Sequence, residues 1–273
     1  MLKSTFTRVL LVATVAVVGL ATPLSASHSW GPYHWARTST SFTLIIINST
    51  TQDWDLNVEM ARSDWSKSNV LDMAHEAGSI DSKVRRRCPT VEGKLRICNL
   101  TYGYNGWLGV AGISIDINGH IVTGYTKLND SYLNSSYYYG WRQSVACQEL
   151  GHNIGLDHQD EDFNNTSLQT CMDYQDPPWD MPNQHDYDQL ASIYGHTDSY
   201  NSYAGAPTGG GDGEDGGCNA PPGKGCNKPG VGQGNAENGW GISLGRRGQH
   251  EKFMRIDPDG TRHITFVTWA EGH

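Results

Sequence analysis

A short histidine-containing segment near the middle of the chain constrains the fold more than any other part of the sequence. If this segment is helical, Gln148 and His152 project from the same face, and Glu149 overhangs the space in front of them. Gly155 then allows the chain to leave the helix through a left-handed turn, which brings His158 back toward His152. The sequence therefore predicts two imidazoles, one amide and one carboxylate around one point at the end of a helix.

These residues resemble the signature of the metzincin clan of zinc endopeptidases, which is His-Glu-x-x-His-x-x-Gly-x-x-His followed by a Met-turn. Four of the five defining positions match, at Glu149, His152, Gly155 and His158. The run Cys-Met-Asp-Tyr at 171–174 is similar to the Met-turn, with Met172 as the methionine beneath the metal. The helix Asp186–Gly195 is similar to the helix that closes the catalytic domain of secreted metzincins. The resemblance covers residues 40–196.

The resemblance implies an α+β fold of the metzincin type, with a twisted mixed sheet, an active-site helix and a C-terminal helix. It also implies a secreted metalloendopeptidase that hydrolyses peptide or protein substrates and uses zinc as its cofactor. In that interpretation Gln148, His152 and His158 bind Zn²⁺. Glu149 acts as the general base toward a metal-activated water.

One position departs from the signature, because Gln148 stands where the family has its first histidine ligand. An amide oxygen is a weaker zinc donor than an imidazole nitrogen, so we expect reduced zinc affinity or a preference for a harder metal. The alternative is that Gln148 binds no metal and that the chain is a non-catalytic pseudo-peptidase that binds peptide or protein. A second alternative is a secreted binding module that uses its C-terminal hairpin. No spacing rule supports a replacement ligand among His75, His120 and His185.

The N-terminus has the features of a secretory signal peptide, which we assign to residues 1–27. Lys3 and Arg8 precede the apolar run Val9–Leu20, and small residues follow at Ser25-Ala26-Ser27. This run is shorter than the roughly 20 residues that span a bilayer, so we expect a secreted, extracellular protein without a membrane segment. The net charge of −9 disfavours nucleic acid as a partner. We expect the protein to be a monomer.

The six cysteines fit export, because disulfides persist in oxidising compartments. Six cysteines allow many connectivities, so any pairing is a hypothesis from proximity. Proximity favours Cys88 with Cys98, Cys147 with Cys171, and Cys218 with Cys226. A bond between Cys147 and Cys171 would connect the active-site helix to the segment that contains Met172.

Hydrophobic patterns divide the mature chain into three parts: a metzincin-like domain at 28–200, a glycine-rich linker at 201–245 and a C-terminal β-hairpin at 246–273. In the first part they predict strands at Ser41–Ile47, Leu95–Tyr102 and Gly112–Leu128, the last with a turn at Asn118-Gly119. They predict helices through Trp54–Trp65, Tyr139–Ile154 and Asn183–Tyr194. We expect the hairpin, formed by Lys252–Ile256 and His263–Trp269, to dock on the main domain because a lone hairpin is marginal in water.

We expect neither a calcium site nor a cysteine switch, in which the thiolate of a propeptide cysteine binds the zinc and keeps the enzyme inactive. The acidic residues that follow the histidine segment are expected to be solvated and to bind no calcium; they are Asp157, Asp160, Glu161 and Asp162. The stretch between residue 27 and the first predicted strand contains no cysteine, so we expect no cysteine switch.

Overall fold

The computed structural model describes residues 28–29, 31–203 and 239–273. The predicted signal peptide lies outside these residues, as do most of the predicted linker and the predicted pair of Cys218 with Cys226. The described part of the chain forms one mixed β-sheet with helices packed against it, which is an α+β arrangement.

The sheet has a parallel half and an antiparallel half. Its strands are β1 (His34–Trp35), β2 (Phe42–Ser49), β3 (Leu71–Ala77), β4 (Leu95–Leu100), β5 (Trp107–Ile115), β6 (His120–Asn129), β7 (Ile242–Arg247), β8 (His250–Ile256) and β9 (Arg262–Trp269). The order is β3-β2-β4-β6-β5-β9-β8-β7, and β1 pairs with β6. The pairs from β3 to β6 are parallel, whereas every pair from β6 through β5 to β7 is antiparallel. The predicted turn at Asn118-Gly119 joins β5 to β6.

The helices of the described chain are α1 (Asp55–Trp65), α2 (Ser82–Arg87), α3 (Asp130–Leu133), α4 (Arg142–Asn153) and α5 (Gln184–Ile193). The apolar stripe that predicts α1 is buried at all its positions, which are Trp54, Val58, Ala61 and Trp65. This stripe packs α1 against α4, where Trp65 Nε1 donates to the carbonyl of Cys147 at 2.9 Å. The largest buried cluster of apolar side chains thus supports the helix that carries the histidine segment.

The C-terminal part of the chain extends the sheet from the edge of β5. Strand β9 pairs with β5, β8 pairs with β9, and β7 pairs with β8. Strand β7 begins in the range predicted as linker and ends in the range predicted as hairpin, and all of its side chains are exposed. Because it lacks the apolar alternation that identifies a half-buried strand, its sequence does not predict it. The predicted hairpin is thus present as β8 and β9 and docks on the sheet through β5, and β7 adds a third, unpredicted strand.

Two disulfides lie in the described part of the chain, and both are among the predicted pairs. They join Cys88 to Cys98 and Cys147 to Cys171. The second connects α4 to the loop that contains Met172. Within the same described residues, no helix is long and apolar enough to cross a membrane.

Candidate functional site

Helix α4 ends as its sequence predicts and brings two histidines together. It stops at Asn153, and Gly155 adopts a φ of +102°, a conformation that a side chain rarely tolerates. A Cβ at Gly155 would also lie 2.7 Å from the carbonyl oxygen of Tyr33. The chain then turns back so that Nε2 of His158 lies 3.1 Å from Nε2 of His152.

Neighbouring groups orient both imidazoles. Nδ1 of His152 lies 2.9 Å from the carbonyl oxygen of Leu156, and Nδ1 of His158 lies 2.9 Å from the hydroxyl of Tyr174. A carbonyl accepts only, so His152 carries its hydrogen on Nδ1 and a lone pair on Nε2. Burial lowers the pKa of His152 to about 4 and the pKa of His158 well below its ordinary value. The neighbouring imidazole of His250 adds to the second shift, because two protonated rings would repel each other. Both rings are therefore neutral at physiological pH.

Glu149 lies beside the histidines and is fully buried. Its Oε1 accepts a hydrogen bond from the hydroxyl of Thr268 at 2.7 Å, and Oε2 has no hydrogen-bond partner among the described residues. Burial raises the pKa of Glu149 to about 8, a shift that the Thr268 hydroxyl opposes only in part. Gly109 faces this carboxyl group from β5, and a Cβ there would collide with Glu149 Oε1.

Gln148 is buried on the same helix, next to Glu149. Its Oε1 lies 3.2 Å from the Thr268 hydroxyl, which contacts both residues. The i,i+4 spacing places Gln148 and His152 on one face of α4. The structure thus brings His152 and His158 into contact at the end of α4, with Glu149 and Gln148 earlier on the same helix, where both face Thr268 of β9.

Met172 packs against α4 at Gly151, where the helix has no side chain. A Cβ at Gly151 would lie 2.6 Å from Sδ of Met172 and 2.8 Å from the ring of Trp65. Met172 is fully buried, and its neighbour Cys171 is bonded to Cys147 on α4. The disulfide therefore fixes the loop of Met172 to the helix that presents the histidines.

The C-terminal strands cover the site. Phe266 on β9 stacks on the ring of His152 at 4.4 Å, and His250 on β8 lies 4.4 Å from the ring of His158. His250 also stacks on Tyr174 at 3.9 Å. The cavity next to Gln148 measures 20 Å³, which has room for about one water molecule. On the side of the acidic loop, a larger cavity of 860 Å³ reaches His158 and His250. Sequence reasoning missed His250, Thr268 and Phe266, because only the pairing of β9 with β5 brings them to α4.

Ion pairs join the covering strands to the acidic loop after His158. Nζ of Lys252 lies 2.7 Å from Asp157 and 3.6 Å from Glu161, and Arg247 lies 3.0 Å from Glu161. The expectation that these acidic residues are simply solvated is therefore wrong for Asp157 and Glu161. The basic residues of β7 and β8 neutralise them, and no pattern in the sequence predicts that pairing.

The other histidines weighed as ligands lie in different surroundings. His185 stacks on His28 at 4.8 Å, and His75 belongs to β3. His120 lies 3.3 Å from Asp198 and forms part of a separate cluster. The histidine that does contact His158 is His250.

Comparison with known proteins finds structural likeness but no relative by sequence. No protein-family model matches the chain, and no curated protein matches its sequence. Among solved structures, the chain is similar to high choriolytic enzyme 1, a hatching-enzyme zinc-protease from the medaka fish Oryzias latipes. The TM-score is 0.36 and the identity 11%, over 59% of this chain and 94% of the medaka chain. At that TM-score the likeness does not assign a function to the site.

Proposed function

We propose that this chain is a secreted, zinc-dependent metalloendopeptidase of the metzincin type, held in a closed form by its own C-terminal strands. The observation that carries the proposal is the pair of neutral imidazoles, His152 and His158, whose Nε2 atoms face each other 3.1 Å apart beside the carboxyl group of Glu149. The signature spacing, Gly155 and Met172 support the same interpretation.

The donor set fits zinc. Ligand atoms about 2.1 Å from a tetrahedral zinc lie about 3.4 Å from each other, close to the spacing of the two imidazole nitrogens. Oε2 of Glu149 is buried without a partner among the described residues, as suits a group that contacts a water or substrate atom. We propose that His152, His158 and Gln148 hold the metal. When bound, zinc supplies a Lewis acid that polarises a substrate carbonyl and lowers the pKa of water.

The chain's own residues supply the rest of the chemistry. In the closed form the pKa of about 8 keeps Glu149 protonated at neutral pH. Once β9 has left β5 and water reaches the carboxyl group, it ionises, takes a proton from the attacking water and returns it to the leaving amine. Gly109 leaves the space that the Glu149 carboxyl group occupies. Leu156 and Tyr174 hold the two imidazoles in their orientations through contacts to Nδ1, and such partners usually strengthen metal binding.

Strand β9 occupies the place where a substrate would bind. Without β9, β5 would be an exposed sheet edge, and extended peptides bind such edges by adding a strand. In the register of β9 on β5, Thr268 lies opposite Gly109, directly above Glu149. We propose that β9 stands in for substrate and that it must leave β5 before a peptide can be cleaved.

The buried site also favours the alternative, a non-catalytic pseudo-peptidase. Gln148 replaces the expected histidine, and its Oε1 lies 3.2 Å from the hydroxyl of Thr268. In that case the strands β7 to β9 would be permanent parts of the fold.

Cleavage by the full mature chain distinguishes these possibilities. The protein is incubated with an unfolded protein substrate in the presence of zinc, next to Glu149→Ala and a chelated sample, and products are identified by mass spectrometry. We expect cleavage in the first sample only. Equal cleavage by Glu149→Ala would remove the proposed base. Thr268→Val removes the hydroxyl through which β9 contacts Glu149. If this variant also cleaves nothing while it binds the substrate, the pseudo-peptidase is the correct interpretation.

A further inference from the structure

We propose a second metal site, away from α4, in a cluster formed by His34, His120, His196 and Asp198. Its ligand would be a zinc ion with a structural role. The four residues come from three separate segments of the chain. His34 lies in β1, His120 begins β6, and His196 and Asp198 follow α5. We call these four residues the histidine cluster.

The spacing of the cluster matches tetrahedral zinc. Nε2 of His34 lies 3.2 Å from Nε2 of His196 and 3.3 Å from Oδ2 of Asp198. Oδ1 of Asp198 lies 3.3 Å from Nε2 of His120 and 3.6 Å from Nε2 of His196. Ligands about 2.1 Å from a tetrahedral zinc are separated by about 3.4 Å. Four of the six pairs of ligand residues thus have donor atoms at about the separation that one shared ion requires, through one or the other oxygen of Asp198. The donor atoms of His34, His120 and Asp198 all lie within 4.8 Å of one another.

Hydrogen bonds aim the lone pair of His120 at the cluster. The hydroxyl of Tyr200 donates to Asp116 at 2.5 Å, so it accepts from Nδ1 of His120 at 2.7 Å. With its hydrogen on Nδ1, the neutral ring of His120 has a lone pair on Nε2, which faces the carboxylate of Asp198. Two lone pairs in contact repel each other, whereas a cation between them is attracted to both.

His34 is oriented in the same way. Its Nδ1 lies 2.6 Å from the carbonyl oxygen of Pro32, which accepts only, so its lone pair lies on Nε2. That nitrogen faces both Asp198 and His196. Asp198 is itself held by the backbone N–H of Arg37 at 2.9 Å. Metal-binding histidines in proteins typically have a partner on the other ring nitrogen, and ligating carboxylates are typically hydrogen-bonded. His34 and His120 show the first feature, and Asp198 shows the second.

The donor types select the metal. Three imidazole nitrogens and one carboxylate oxygen suit zinc, whereas calcium and magnesium prefer sets of oxygen ligands. His34 is buried and His196 has 54% of its side chain exposed, so the cluster lies at the surface, where an ion can enter. A closed set of four protein ligands is typical of structural zinc.

Such an ion would crosslink segments that are far apart in the sequence. It would hold β1 and the segment after α5 against the first residue of β6. In the same region, the backbone of Arg37 accepts from Asp198, and Ala36 accepts from Ser202. We therefore expect zinc at the histidine cluster to raise the melting temperature independently of any zinc at α4.

The test is zinc content in a His152→Ala background, which removes one proposed ligand of the α4 site. The full mature chain is equilibrated with zinc chloride, desalted and measured for metal and protein. We expect about one zinc per chain in this background and almost none after His120→Ala or His196→Ala. Because His196 is largely exposed, its substitution leaves the fold intact.

His263→Ala is the matched control. His263 also contacts a carboxylate, Asp257, at 2.8 Å, but it lies on β9 and outside the cluster. We expect this variant to keep its zinc and to keep the rise in melting temperature that zinc causes, while His196→Ala loses both. The proposal is overturned if the background protein binds no zinc, or if the cluster variants bind as much zinc as His263→Ala.

Discussion

Thr268→Val tests whether the C-terminal strand closes a working active site. Thr268 is buried, and its hydroxyl is the hydrogen-bond donor to Glu149 at 2.7 Å and lies 3.2 Å from Gln148. Valine has nearly the same shape but no hydroxyl, so the change leaves Glu149 Oε1 without this donor beneath β9. Leaving a buried acceptor without its donor costs about 2 kcal/mol. That amount shifts the equilibrium between closed and open forms about 30-fold toward the open form.

If the open form cleaves peptides and is rare in the parent protein, Thr268→Val raises kcat/KM up to about 30-fold. Thr268→Ser is the control, because it keeps the hydroxyl and loses only a methyl group, worth about 0.8 kcal/mol or a roughly fourfold shift. Hydrolysis of a quenched fluorescent peptide gives the rate, and hydrogen exchange of the β9 amides reports the opening. Faster exchange of the β9 amides without faster hydrolysis would refute the proposal that β9 closes an active peptidase. Unchanged exchange would refute the role of the hydroxyl.

Three further predictions concern the support of the site. Gly109→Ala places a Cβ against Glu149 and should lower stability by about 1–3 kcal/mol in urea unfolding; an unchanged midpoint would contradict the packing at β5. Replacing Cys147 and Cys171 by alanine removes a crosslink with a separation of 24 residues and should cost about 3.5 kcal/mol; a loss under 1 kcal/mol would contradict it. Burial raises the pKa of Asp186 to about 6, so this carboxyl group favours folding at low pH and loses that contribution as pH rises through 6. Asp186→Asn should flatten the decline in stability between pH 4 and 6 by up to about 3 kcal/mol, measured as unfolding midpoints across that range; an unchanged slope would contradict the assignment.

The sequence predicts the local part of the fold well. Helix α1 follows from its apolar periodicity, the end of α4 follows from the glycine at 155, and β5 and β6 follow from alternation around Asn118-Gly119. The sequence does not predict β3. Only Leu71 and Met73 of this strand are well buried, and two apolar residues are too few to show an alternating pattern. Strand β7 has no buried side chain at all. Pairing with neighbours, and not local preference, makes both segments strands.

Part of the candidate site is also predictable from the sequence. Gln148, Glu149 and His152 meet because they share two turns of one helix, and His158 joins them because Gly155 permits the return. Their spacing is visible in the sequence.

Residues that arrive from distant segments have no such signal. Thr268 and His250 reach the site only through the register of β9 and β8 on β5. His34, His120 and His196 likewise come from three separate segments. No spacing in the sequence relates these positions, so only the folded chain shows that they meet.

The central claim is that α4 presents a zinc site despite Gln148, and zinc content tests it most directly. The measurement uses a His120→Ala protein, in which the histidine cluster no longer contributes, and compares it with the double variant His120→Ala/His152→Ala. The proposed site predicts about one zinc per chain in the first protein and almost none in the second. No zinc in either protein, or the same zinc content in both, would contradict a zinc site at His152 and His158.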